Sequence, residues 1–102
     1  MRAVVLDEFN APLHVEERPA PVAPAGGAVV RVKAVGVCHS DLHVVDGYFS
    51  SSPLPLVLGH EVAGEVDSLG NVLVYTPWGC GKCRFCLDGE EMICPNGREA
   101  GM

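Results

Sequence analysis

Positive charge is scarce in this chain: seven Lys and Arg stand against 13 Asp and Glu, a formal charge of −6 over 102 residues. Nucleic-acid binding needs concentrated Lys and Arg to displace phosphate counterions, and anionic membranes select for the same sign, so both partner classes are disfavoured. Long apolar runs are missing as well. The start, Met1-Arg2-Ala3-Val4-Val5-Leu6-Asp7, gives one basic residue and a short apolar stretch before acid appears, too little for a secretory leader. Nothing reaches the ~20 apolar residues that span a bilayer. These absences point to a cytoplasmic protein, where thiols stay reduced and clustered cysteines bind metal more often than they pair. The chain also has no Gly-x-Gly-x-x-Gly, so no dinucleotide-binding domain is expected within it.

What is present is a soluble, single-domain composition, 48% hydrophobic and 20% charged. A domain this short buries a small share of its surface, so a metal staple would help it, and five cysteines are available. Ala3 to Leu6, Leu13 to Glu16, Ala28 to Val37, Val62 to Val66 and Val72 to Tyr75 read as strands, rich in Val and partly alternating. Three prolines between Arg18 and Gly27 mark a connector. A short helix is predicted from Ser40, capped by Ser40 and Asp41 and closed by Gly47. Many short strands with one or two helical turns make the fold class mainly β.

After Pro77 the character changes. Cys80, Cys83, Cys86 and Cys94 follow a C-x2-C-x2-C-x7-C spacing in a glycine-containing stretch with little apolar periodicity, from about 78 to 95. Two residues between ligands let one turn aim both sulfurs at one ion, and four thiolates complete the tetrahedron of structural Zn²⁺, leaving no open position. Unbound thiols or disulfides are one alternative. A [4Fe–4S] cluster is another, although the ferredoxin run ends C-x3-C-P and its fourth cysteine serves a second cluster. A zinc-ribbon nucleic-acid binder has suitable ligands but the wrong charge.

The fifth cysteine stands in Gly36-Val37-Cys38-His39-Ser40-Asp41-Leu42-His43, upstream of Gly59-His60-Glu61. A lone Cys is usually a small buried hydrophobe. A Cys, a His and an adjacent Glu on glycine-flanked turns can instead supply three ligand groups to a zinc that keeps one position open.

Together, Gly-Val-Cys-His-Ser-Asp, then Gly-His-Glu with Val-Ala-Gly-Glu-Val, then Pro-Trp-Gly-Cys-Gly-Lys-Cys-Arg-Phe-Cys, resemble in order and spacing the amino-terminal half of zinc-dependent medium-chain alcohol dehydrogenases. The likeness covers Met1 to Gly101. It implies a GroES-like, partly open β-barrel over residues 1–102 with the four-cysteine lobe protruding. It implies that Cys38 and His60 ligate a catalytic zinc, that Glu61 can approach the metal, and that Asp41 fixes the ligand His. Ser40 matches the hydroxyl that takes the alcohol proton, and His43 the histidine at the solvent end of that relay. His39 matches a position that contacts the cofactor pyrophosphate, and Phe49 and Trp78 match the lining of the substrate pocket. Each has an ordinary alternative: Ser40 as a helix cap, Asp41 as a helix-dipole partner, His43 as a surface histidine, Phe49 as packing. His14, in no motif, is read as structural.

The resemblance further implies zinc and NAD(P), a small alcohol or carbonyl substrate, and a dimer or tetramer for the complete enzyme. The family's third catalytic zinc ligand, a downstream cysteine, has no counterpart here, so this chain alone is expected to be inactive. About a dozen residues that relatives carry between Gly70 and Asn71 are also absent; if the junction is direct, Gly70-Asn71 is expected to form a two-residue hairpin turn. The alternative to a dehydrogenase portion is a free-standing zinc-binding domain without catalysis.

Overall fold

The computed structural model describes residues 1–102, and their architecture follows from short Val-rich segments cut by Gly and Pro. The strands are β1 (Arg2–Leu6), β2 (His14–Glu17), β3 (Arg31–Gly36), β4 (Leu56–Val57), β5 (Glu61–Val66), β6 (Gly70–Leu73), β7 (Pro77–Trp78) and β8 (Arg98–Glu99). Two helices, α1 (His39–Val45) and α2 (Arg84–Leu87), and a 3-10 turn at Glu91–Ile93 complete the chain. One three-stranded sheet runs β2-β1-β4, a second runs β3-β5-β6, and β7 pairs with β8, all antiparallel.

Burial is thin. Only seven of the 102 residues are buried, with Val5 and Leu6 of β1 and Val44 of α1 fully enclosed and Ala3 and Val66 nearly so. At roughly 1.5–3 kcal/mol for each enclosed aliphatic side chain, so small a core leaves much of the cohesion to other forces. The second sheet is largely uncovered: Arg31 to Val35 of β3 are all exposed, as is Leu73 of β6. The sheets therefore stay open, as the expectation of a partly open barrel requires. No helix is long and apolar enough to cross a membrane.

The structure differs from the sequence expectation at three places. The strand after the connector begins at Arg31 and not at Ala28. Helix α1 is capped by Cys38, two residues earlier than Ser40, and the Asp41 carboxylate accepts the Cys38 backbone N–H at 2.9 Å, closing the box from the third helical position. Gly47 does close the helix, at φ 78°. The β5–β6 hairpin turns on Asp67, Ser68 and Leu69 and not on Gly70-Asn71: Gly70 pairs with Val66, and Asn71 with Glu65. Gly70 takes φ 77°, the left-handed residue that a three-residue hairpin loop needs at its far end, so the strand starts earlier than the Val72 expected.

Candidate metal centres

Antiparallel pairing brings two distant segments to one place. Gly36, the last residue of β3, lies opposite Glu61, the first of β5. Cys38 follows the end of β3 by two residues and His60 immediately precedes β5, so the register sets both at the same end of the sheet. The Glu61 side chain folds over Gly36, where a Cβ would collide with the Glu61 carboxylate.

The Ser40 hydroxyl joins the two. Its Oγ lies 3.0 Å from Cys38 Sγ and 3.4 Å from His60 Nε2. The other ring nitrogen, Nδ1, faces Asp41 Oδ1 at 3.4 Å, and neither of these buried atoms has another partner. At this separation the two groups form an ion pair when the ring is charged, without a well-aligned hydrogen bond. Asp41 is thereby split between two tasks, one oxygen on the Cys38 N–H and the other towards His60. A carboxylate on Nδ1 leaves Nε2 as the atom free to ligate, as is usual behind a metal-bound histidine. The donor set fits a borderline-soft ion.

The electrostatics bear on the two ligands in opposite ways. The Ser40 hydroxyl and backbone, followed by His60, hold the Cys38 thiol below its ordinary range, which favours the thiolate that a metal binds. Burial alone would lower the His60 pKa, but the Cys38 hydrogen bond and the Asp41 and Glu61 charges raise it overall, so an incoming ion must displace a proton from the ring.

The other predicted residues fall nearby. His39 is exposed at the start of α1 with its ring edge-on to His43, centroids 4.9 Å apart. Phe49 packs against His43, centroids 6.3 Å apart. Phe49 and Trp78 line one open cavity of 760 Å³, with Ser51, Pro53 and Arg98 among its other walls. Glu61 is exposed, its carboxylate over Gly36. His14 sits apart on β2, between Asp7 and Glu16. Tyr48, absent from the sequence reading, packs on His43 at 5.3 Å between centroids; nothing in its spacing marks it, because it follows the helix end.

The second cluster is built from turns. Cys80 follows β7, Cys83 caps α2 and accepts the Cys86 N–H at 3.5 Å, and Cys94 follows the 3-10 turn. The sulfurs stand 3.5 Å apart for Cys83–Cys86, 3.8 Å for Cys83–Cys94 and 4.0 Å for Cys80–Cys86, and all four lie within 4.8 Å of one another. Sulfurs on a tetrahedral zinc at Zn–S ≈ 2.3 Å are about 3.8 Å apart, so the spacing suits one ion held by all four. All five cysteines are free. Gly79 is required here, since a Cβ would strike Cys86 Sγ and come 2.9 Å from Glu91 Cβ. Backbone N–H groups of Lys82 and Cys83 lower the Cys80 pKa to about 6. The Gly81 N–H pulls Cys86 the same way, but burial and the three neighbouring sulfurs push it up to about 11.

Residues 24–102 match the family model of the alcohol dehydrogenase GroES-like domain, and the chain belongs to that family. An alcohol dehydrogenase of Geobacillus stearothermophilus is 38% identical over 113 residues, covering 99% of this chain and 34% of that protein. An NAD-dependent alcohol dehydrogenase of Sulfolobus acidocaldarius is 41% identical over 118 residues, covering 100% of this chain and 34% of its own length. The crystal structure of the alcohol dehydrogenase from Aeropyrum pernix superposes with a TM-score of 0.88 at 32% identity, covering 99% of this chain and 33% of that one. The fold is thus GroES-like, and the chain spans about a third of the length of these relatives. The 113 aligned residues exceed the 102 of this chain, so the Geobacillus protein carries residues without counterpart here, in keeping with the short Asp67–Leu69 turn.

Proposed function

We propose that residues 1–102 form the metal-binding catalytic-domain portion of a zinc-dependent alcohol dehydrogenase, which oxidises an alcohol to an aldehyde or ketone with hydride transfer to NAD(P). The observation that carries this reading is the Ser40 hydroxyl shared by Cys38 Sγ and His60 Nε2, with Asp41 behind the ring. Cys38 and His60 would hold the catalytic zinc, with Glu61 next in sequence able to approach it, and the four clustered cysteines would hold a structural zinc in a lobe of residues 78–95. A zinc ion at the first site supplies Lewis acidity that lowers the pKa of a hydroxyl. Ser40 accepts the alcohol proton, and His43, one helical turn further along α1, passes it towards solvent. His39 faces the cofactor pyrophosphate. Phe49 and Trp78 bound the cavity that takes the carbon skeleton of the substrate. Five unpaired thiols suit a reducing compartment, so we place the protein in the cytoplasm.

Catalytic zinc sites use three protein ligands and an open position, and Cys38 with His60 gives two within these residues. The same count favours, as a second reading, a free-standing zinc-binding domain; it predicts one tightly held ion per chain and nothing at Cys38. Zinc stoichiometry separates the two. On the dehydrogenase reading, one zinc resists a chelator and a second, weaker ion is lost in Cys38→Ser and in His60→Ala; a second ion indifferent to both variants would remove the reading. The activity is tested by replacing the aligned stretch of the Geobacillus enzyme with this chain: alcohol-dependent NAD(P) reduction that disappears with Cys38→Ser supports it.

A further inference from the structure

Helix α1 carries two histidines whose geometry goes beyond the separate roles given to them above. His39 and His43 are four residues apart, so one turn of helix sets them on one face. Their ring centroids are 4.9 Å apart with planes inclined at 73°. Two imidazoles that share one ion through nitrogens at ≈ 2.0–2.1 Å place their centroids about 4.5 Å apart in adjacent square-planar or octahedral positions and about 5 Å apart in tetrahedral ones. The rings already have the separation that a shared ion would impose.

Both rings are available. The hydrogen bonds and ion pairs made by histidine rings in this chain belong to His14 and His60. His39 is exposed, so an ion can arrive from solvent, and His43 is half-buried. Tyr48 and Phe49 restrict the His43 ring, standing 5.3 and 6.3 Å from it, and pack edge-on against each other at 5.1 Å. A ring held in place loses less freedom on ligation than a freely rotating one.

We propose that His39 and His43 together bind a divalent transition-metal ion, at a site separate from the four-cysteine cage and from the Cys38–His60 pair. Two imidazole nitrogens with water in the remaining positions select Cu²⁺ and Ni²⁺ over Zn²⁺, and all three over Mg²⁺ or Ca²⁺. The site stands on helix geometry and does not depend on the dehydrogenase reading. Within that reading, an ion here takes both the relay histidine and the cofactor-facing histidine, and so inhibits.

The test is a Ni²⁺ titration of the zinc-loaded chain, following the ring-proton NMR signals of its four histidines. The His39 and His43 signals should broaden together and first, saturating at one Ni²⁺ per chain. His39→Ala and His43→Ala should each weaken binding fivefold or more, because a chelate becomes a single ligand, whereas His14→Ala, on β2, should leave it unchanged. His39 is exposed, so its variant reports on binding without a folding defect. Earlier broadening of His14 or His60, a loss below fivefold in the His39 or His43 variant, or sensitivity to His14→Ala would overturn the assignment.

Discussion

Gly101 lies directly against the backbone of Gly59: a Cβ on Gly101 would stand 2.6 Å from the Gly59 nitrogen and 2.7 Å from its carbonyl carbon. The segment leaving the four-cysteine lobe therefore rests on the residue that precedes His60. Gly101→Ala meets two obstacles, the backbone contact and a φ of 71° that costs an L-residue roughly 1–2 kcal/mol. Gly89, at φ 79° with open space around it, isolates the second. In a Co²⁺ titration read by visible absorption, Gly101→Ala should weaken the Cys38–His60 site at least fivefold and leave the four-thiolate spectrum intact. Gly89→Ala should lower stability by a similar backbone cost and leave both sites unchanged. Equal effects at the two sites would show that the contact does not position His60.

Asp41 offers a pH-resolved test. In the metal-free chain the His60 pKa lies above its usual 6.5, with burial opposing and the Cys38 hydrogen bond and Asp41 charge prevailing. A raised folded-state pKa contributes stability that is complete below 6.5 and is lost as pH rises through the folded value. Asp41→Asn keeps an acceptor for the Cys38 N–H and deletes the charge facing His60. The variant should lose about 1–2 kcal/mol in urea unfolding near pH 5, and the deficit should shrink on going to pH 8. NMR titration should show the His60 pKa falling. A deficit that grows with pH would contradict the ion-pair assignment.

How much of this was legible in the sequence depends on how local each feature is. The four-cysteine cluster is local: its spacings are turn geometry, and the four sulfurs lie within 4.8 Å of one another. Cys38 and His60 are not local. They meet because Gly36 pairs with Glu61, a register that no composition or periodicity reveals, so motif resemblance alone joined them. The hairpin was misplaced because Gly-Asn suits a two-residue turn, whereas the chain prefers a three-residue loop that lets Val66 pair with Gly70. Strands β7 and β8 are two residues each, too short for any alternation to show. The helix cap moved from Ser40 to Cys38 because Asp41 reaches back to the Cys38 N–H, and the sequence permits either.

The thiols of the cage should differ in reactivity when no metal is bound. Cys80, at about 6, is largely thiolate at pH 7, held there by two backbone N–H groups. Cys86, at about 11, stays protonated among burial and the other sulfurs, despite the Gly81 N–H. Because the thiolate is the nucleophile, iodoacetamide at pH 7 should label Cys80 first and Cys86 last, read by peptide mass spectrometry. The linkage signs are opposite. The depressed Cys80 value adds stability above 9.0 that is lost as pH falls towards 6; the raised Cys86 value adds stability below 9.0 that is lost as pH rises towards 11. Zinc should protect all four, and the reverse labelling order would refute the arrangement.

Metal removal should loosen the lobe from its base. No residue from Asp67 to Met102 is buried, so hydrophobic burial gives this part little cohesion, and a metal bridging Cys80, Cys83, Cys86 and Cys94 would be its main tie. Trp78, the single tryptophan, reports on it: it lies on β7 opposite Arg98, and its indole N–H donates to the Tyr75 carbonyl at 2.6 Å. Stripping zinc with a chelator should free the β7–β8 pairing, shift tryptophan emission to the red and open Lys82 and Arg84 to trypsin. Acid should do the same by protonating the ligands, since thiolate ligation releases protons that low pH returns. Restoring zinc should reverse the change, and Cys38→Ser should leave it intact because that residue belongs to the other site. Emission and cleavage that ignore zinc would mean that the β7–β8 ladder, and not the metal, holds the lobe in place.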